Sequence, residues 1–148
     1  MGSRFADDPH RLAVAHHELG HYVVWNTLPG VRIREVRITG RGSGVEGWVR
    51  VDWPDDDTEV IDRGYLVGLL AGREADRVHH RTPGTPAYRE AGCVHDMRAF
   101  RRARRLHAPS RALPEHRLRA EAERLVRARW DQITHLAPDL AARGRLRL

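Results

Sequence analysis

The stretch His17-Glu18-Leu19-Gly20-His21 decides how the rest of the chain is read. At about 3.6 residues per helical turn, the two histidines project from one face a turn apart, so both imidazoles can ligate one ion with Glu18 beside it. The flanking residues make this segment a helix. Asp8-Pro9 suits an N-cap and first turn, and Leu12, Ala13, Ala15, Leu19, Val23 and Val24 form an apolar stripe that runs toward Pro29-Gly30. Gly20 costs about 1 kcal/mol of helix propensity relative to alanine, which predicts that another element packs closely against this turn. His16 projects in a different direction from the pair and is read as a packing or supporting residue, not a ligand.

Beyond this helix the apolar period shortens. Val31, Ile33, Val36 and Ile38 with interposed arginines predict a strand with an irregularity near Glu35, and residues 40–44 read as a glycine-rich turn. Val45, Trp48, Val49 and Val51 predict a second, antiparallel strand that breaks at Trp53-Pro54 and the acidic cluster Asp55, Asp56 and Asp57. Negative charge is favourable at a helix N-terminus, so that cluster is read as capping the next helix, whose apolar positions Ile61, Tyr65, Leu66, Leu69, Leu70, Ala75 and Val78 run to about His79. Gly64, Gly68 and Gly72 recur every fourth residue and predict a smooth groove, with the Gly20 turn of the first helix as its partner. A loop follows over residues 81–90. A third helix is expected from near Gly92 to His107, and a fourth from about Pro114 that ends before Pro138. The expected fold is therefore α+β and mainly helical: about four helices and a small antiparallel sheet in a single domain over residues 1–148.

Composition narrows the function classes. No apolar run approaches the roughly 20 residues of a membrane-spanning helix, and the polar N-terminus lacks the apolar core of a secretory signal, which makes a cytoplasmic location the default. The single Cys93 excludes an intrachain disulfide and a four-cysteine zinc site. A net charge of +6 would ordinarily suggest nucleic acid as a partner. All 26 basic residues are arginine, however, in a chain also rich in alanine, glycine and proline, as GC-biased coding produces. The run Arg98, Arg101, Arg102, Arg104 and Arg105 lies on a predicted helix without aromatic interleaving and reads as a solvated or partner-facing surface.

His-Glu-x-x-His is the arrangement of zinc peptidases, in which a third protein ligand completes the set and the glutamate deprotonates a water held at the ion. The plan with a third histidine shortly after the motif fails, because Val24 and Thr27 occupy its glycine and histidine positions. Glu74 or Asp76 on the second helix, or the segment Gly92-Cys93-Val94-His95-Asp96, remain as sources of the third ligand.

Over most of its length the chain resembles the peptidase domain of the FtsH-type ATP-dependent zinc proteases. The family's His-Glu-Ala-Gly-His helix matches residues 17–21 apart from Leu19. Its strand and glycine turn resemble residues 36–42, and its Gly-Arg-x-Ala-Glu segment resembles Gly72-Arg73-Glu74-Ala75-Asp76. A Gly-Ala-Ser-Asn-Asp-like element, whose aspartate is the family's third zinc ligand, resembles Gly92-Cys93-Val94-His95-Asp96. The resemblance thus implies Zn2+ on His17, His21 and Asp96. His95, where the family has asparagine, is the alternative ligand, Glu74 or Asp76 a residue that orients a ligand histidine, and Cys93 a small-residue position. The family's ATPase and membrane segments have no counterpart here, and no phosphate-binding loop of the G-x-x-x-x-G-K-[ST] type occurs. The expectation is an ATP-independent zinc metallopeptidase that cleaves peptides or unfolded segments, with Glu18 as general base and an edge of the second strand available to substrate. The alternatives are a catalytically silent zinc-containing binding module and an arginine-rich nucleic-acid-binding protein. The family's hexamer is organised with its ATPase ring and is not implied for this chain.

Overall fold

A computed structural model of the chain describes residues 5, 7–56, 58–82, 85, 94–106 and 113–148. Helix α1 spans Pro9–Trp25. The Asp8 side chain accepts hydrogen bonds from the backbone N–H groups of His10 and Arg11, and Pro9 occupies the first turn, where its missing N–H costs nothing. The same carboxylate accepts from the Gly42 N–H at 2.9 Å, so the helix cap also holds the turn between the first two strands.

Strands β1 (Arg32–Thr39) and β2 (Glu46–Asp52) pair antiparallel through a short 3-10 turn at Gly42–Gly44. The register shifts between Ile33 and Glu35. This bulge, at the expected irregularity, lets Ile33, Val36 and Ile38 all reach the core despite their uneven spacing. A third strand, β3 (Arg145–Arg147), pairs antiparallel with β1 on its other side and gives the order β2-β1-β3. Sequence pattern did not reveal it. Three residues reading Arg-Leu-Arg carry no periodicity, and the strand exists because Gly144, at φ 77°, turns the chain back so that its carbonyl accepts from the Ile38 N–H at 2.8 Å.

Helix α2 spans Glu59–His80 and lies antiparallel to α1. Thr58, not the acidic cluster, caps it, accepting from the Ile61 N–H, while Glu59 and Asp62 supply the first-turn negative charge. The capping role expected of Asp55 and Asp56 is thus taken by their neighbours, and Asp57 lies outside the described residues. Helix α3 spans Val94–Leu106. The expected single last helix is two: α4 (Glu115–Ala128) and α5 (Trp130–Arg143), broken only at Arg129 (φ −110°, ψ 14°). Neither glycine nor proline marks this break. Pro138 lies inside α5 and does not end it. A proline within a helix costs about 3 kcal/mol, and the complete burial of Ile133, Ala137 and Leu140 outweighs that cost. The described residues therefore form five helices and a three-stranded antiparallel sheet, an α+β and mainly helical fold.

The core sits where α1 meets α2, β1 and the α4–α5 pair, around Leu19, Leu66, Leu70, Val36, Leu118 and Ile133. Arg11 is buried at the edge of this core. Its guanidinium donates to the carbonyls of Ala141 (2.7 Å) and Gly40 (2.6 Å), tying the start of α1 to the ends of α5 and β1. His16 packs, as its position suggested. Its ring stacks on His79 at 4.0 Å and lies 5.5 Å from Trp130, and its Nδ1 donates to the Leu12 carbonyl.

Gly20 is where α1 and α2 come closest: a Cβ there would lie 2.6 Å from the Ala71 carbonyl oxygen and 2.8 Å from the Ala75 Cβ. Gly20→Ala should lower stability by about 1–3 kcal/mol, because overpacking against backbone exceeds the gain of about 1 kcal/mol in helix propensity. A rise in the urea midpoint would overturn this reading. A second prediction concerns His79, whose pKa is held down at about 4 by burial and by the neighbouring His16 and His80. The unfolded chain, with ordinary histidine near pH 6.5, binds the proton more readily, so this contribution should be complete above about pH 6.5 and fade as pH falls toward 4. His79→Gln should flatten the stability profile across that window.

Candidate metal centre

His17 and His21 occupy the face of α1 that meets α2, and the glycines of α2 make room for them. A Cβ at Gly72 would lie 2.5 Å from His21 Nε2 and 2.7 Å from His17 Nε2. One turn earlier, a Cβ at Gly68 would collide with the Trp25 ring, and one at Gly64 with Leu28. The repeated glycines therefore do line the α1 contact, with a correction to their expected partner. They receive the large side chains of His17, His21, Trp25 and Leu28, whereas Gly20 meets Ala71 and Ala75.

The second nitrogen of each imidazole is fixed by its partner. His21 Nδ1 lies 2.7 Å from the Gly68 carbonyl oxygen and His17 Nδ1 lies 2.6 Å from an Asp76 carboxylate oxygen. Both partners accept, so both Nδ1 atoms carry the hydrogen, and in the neutral rings both Nε2 atoms present lone pairs. These lone pairs converge. The two Nε2 atoms are 3.1 Å apart, and the same Asp96 oxygen lies 2.7 Å from His17 Nε2 and 3.1 Å from His21 Nε2. Three electron-pair donors facing one another require a cation among them. Burial opposes a charged His21, yet the Asp96 charge and hydrogen bond outweigh it and push its pKa up; Asp96 is correspondingly held well below the carboxylate range by His21 and His17 despite its burial.

His17, His21 and Asp96 are the group among the described residues whose donor atoms could hold a metal ion. The donors fit zinc in kind, since it takes imidazole and carboxylate ligands, and their spacings of 2.7–3.1 Å need to widen only by a few tenths of an ångström to reach the roughly 3.3 Å between ligands of a tetrahedral ion. Asp76 and the Gly68 carbonyl supply the outer hydrogen bonds that set the ring orientation in such sites. Side-chain exposure of 23% for Asp96 against 10% and 4% for His17 and His21 makes the Asp96 side the one open to solvent.

Glu18 projects from the next face of α1, toward β2. A Cβ at Gly47 would lie 2.7 Å from Glu18 Cγ, so the absence of a side chain at that strand position gives the carboxyl its place. Burial raises the Glu18 pKa, and the positive His21 and His17 lower it in part. The importance of Gly47 was overlooked in the sequence, although a glycine inside a strand pattern signals a close approach by another group.

The other candidates lie elsewhere. Glu74 is buried but pairs with Arg73 at 3.1 Å and Arg77 at 3.7 Å, away from the histidines. Asp76 orients His17 and does not join the three donors. His95 is exposed on α3, and Cys93 and Gly92 lie outside the described residues. On α3 the exposed Arg98, Arg101, Arg102 and Arg105 face away from the side that buries Met97, Phe100 and Ala103, so the arginine run takes no part in the cradle.

Two substitutions test the cradle. Gly72→Ala, which drives a methyl group into both Nε2 atoms, and Asp76→Asn, which replaces a charged hydrogen-bond acceptor, should each weaken zinc affinity by about 10–100-fold. Competition with a chromophoric chelator measures this directly, and unchanged affinity in both variants would overturn the assignment.

No protein-family model matches the chain. Over 81 residues it is 32% identical to an ATP-dependent zinc metalloprotease FtsH of Acaryochloris marina, a match covering 51% of this chain and 12% of that protein. It is 35% identical over 81 residues, with the same shares, to the FtsH of Paraburkholderia phymatum, and 32% identical to FtsH 2 of Bdellovibrio bacteriovorus. The match spans about an eighth of the length of these curated relatives. About half of this chain is therefore related to a stretch of ATP-dependent zinc metalloproteases.

Proposed function

We propose that the chain is a zinc metallopeptidase domain that hydrolyses peptide bonds in peptides or unfolded protein segments, with His17, His21 and Asp96 as the metal ligands. The observation that carries this reading is the convergence of two Nε2 lone pairs and an Asp96 oxygen, with both Nδ1 atoms already committed to acceptors. Zinc bound there would supply Lewis acidity, polarising the scissile carbonyl and making water more acidic. Glu18 removes the proton of the attacking water and delivers it to the leaving amine. Its burial suits both steps, since desolvation raises the pKa of the carboxyl and makes the carboxylate a stronger base. Asp76 keeps the His17 ring in its ligating orientation and tautomer.

Substrate is proposed to lie along β2. This strand is at the outside of the sheet, has one edge unpaired among the described residues, and carries Gly47 against Glu18. Main-chain pairing to that edge would tolerate many sequences, as a peptidase of extended segments requires. No nucleotide takes part in the chemical step. Partners other than the substrate are not needed for hydrolysis of chains that are already unfolded.

A silent zinc-binding module is the reading to be distinguished from this one, and Glu18 separates them because a purely structural site needs no base. Glu18→Gln should retain zinc and lose about 10²–10⁴-fold in cleavage of a reduced, carboxymethylated test protein. A zinc-loaded wild-type protein that cuts no unfolded substrate would favour the silent module. Tight binding to nucleic acid with a steep salt dependence would favour the arginine-rich alternative.

A further inference from the structure

Of the five arginines on α3, the fold engages one. Arg104 donates to the Leu113 carbonyl at 2.6 Å, and its guanidinium lies 5.6 Å from the centre of the Phe100 ring. Arg98, Arg101, Arg102 and Arg105 are exposed and make no hydrogen bond or ion pair among the described residues. Their spacing of i, i+3, i+4 and i+7 sets them in one row along about 10.5 Å of helix.

Such a row is unfavourable by itself, because like charges three and four residues apart repel one another on a helix surface. Other helices of the molecule show the ordinary remedy. Arg119, Arg127 and Arg143 each pair with a carboxylate four residues earlier, and Arg63 of α2 pairs with Glu121 of α4. Helix α3 has a single acid, Asp96, and it is turned to His17 and His21. The helix dipole favours positive charge in the last turn, which accounts for Arg105 but not for Arg98 or Arg101. Among the described elements α3 packs on α2 alone, so no other described element covers the row.

We propose that this row docks an acidic helical segment of a protein partner, whose carboxylates recur at the same spacing. A guanidinium can give a carboxylate two N–H groups at once, as Arg63 does to one Glu121 oxygen through Nε at 3.0 Å and Nη2 at 2.6 Å. Exposed apolar residues stand at both ends of the row, Val94 one turn before Arg98 and Leu106 one turn after Arg102. They suit a protein partner with apolar residues beside its acids. A nucleic acid is a poorer match, because the only phenylalanine of α3, Phe100, is fully buried and the helix has no tyrosine or tryptophan on which a base could stack. A lipid surface is also a poorer match, since Met97, Phe100 and Ala103, the apolar side of the helix, are buried against the protein and are not free to insert. Docking leaves the cradle clear, because the row faces away from the side of α3 that packs on the protein.

The test measures binding of three probes to the whole zinc-loaded chain. They are a labelled helical peptide of alanine and glutamate with glutamates at i, i+3, i+4 and i+7, a labelled single-stranded thymidine oligonucleotide, and vesicles of phosphatidylserine and phosphatidylcholine. Fluorescence anisotropy reads the first two and co-sedimentation the third. The peptide should bind, more weakly as salt is raised. Arg101→Glu with Arg105→Glu should lower its affinity about tenfold or more, since like charges then face one another. Arg127→Glu with Arg143→Glu makes the same change in net charge on α4 and α5 and should leave affinity within about twofold, because distant surface charges are screened. Arg98→Gln with Arg102→Gln reads the same row should the charge reversal fail to fold, with an expected loss of about threefold or more. Affinity that survives the α3 changes, that falls equally with the α4 and α5 changes, or that is absent even at low salt would overturn the docking site. Row-dependent binding that is tighter for the oligonucleotide or the vesicles than for the peptide would assign the row to phosphate groups and overturn the proposal as well.

Discussion

The contact between α1 and the glycine-bearing side of α2 governs the rest of this structure. Helices normally meet through interdigitated side chains at axis distances of about 8–10 Å. Here α2 presents Gly64, Gly68 and Gly72 where such side chains would stand, and α1 fills the space with Leu28 from its following turn and with Trp25, His21 and His17. A ring needs more room than a methyl group, and glycine supplies it without separating the helices. Removing those side chains also leaves the α2 backbone open to its neighbours, so the Gly68 carbonyl can accept from His21. Gly20 performs the reciprocal service on α1, allowing the Ala71 and Ala75 side of α2 to approach. The same contact thus builds the core and orients the two imidazoles.

Acidic groups around this contact differ in role because they differ in partner. Asp96 faces two Nε2 atoms and is held ionised by them, while Asp76 faces the His17 Nδ1–H and fixes a tautomer. Glu74, only two residues from Asp76, points to arginines and stays within a structural ion pair, where burial nonetheless raises its pKa. Glu18 has burial without a close counter-charge of comparable strength, and its proton is accordingly held more tightly than that of a free carboxyl. A carboxyl group is therefore held ionised by imidazoles, fixes a tautomer, pairs with arginines or keeps its proton more tightly, according to the groups that the fold places within a few ångströms of it.

Much of this was legible along the chain because its physical signals are local. The four-residue spacing of His17 and His21 works through helix geometry alone, and the Asp8-Pro9 start and the bulge near Glu35 are likewise consequences of neighbouring residues. Choosing among Asp96, His95, Glu74 and Asp76 was different. All four side chains are of types that can ligate zinc, and resemblance, not spacing, favours Asp96. Asp76 and Gly68 became visible as supports for the rings only once α2 was set against α1. The misread elements have the same origin. Pro138 is a helix breaker in isolation but lies within α5, and the break at Arg129 follows from packing that no glycine or proline announces.

The amino-acid sequence by itself determined the helical pair of histidines with a glutamate between them, the mainly helical α+β composition, and the close approach demanded at Gly20, because each depends on residues within one or two turns or on a side chain's absence. Only the tertiary structure decided which carboxylate meets the two Nε2 atoms, which acceptors commit the two Nδ1 hydrogens, that Gly47 gives Glu18 its place, and that Arg145–Arg147 completes the sheet. Those outcomes join residues dozens of positions apart. Their energies come from distances and burial that exist only after the helices and strands have packed.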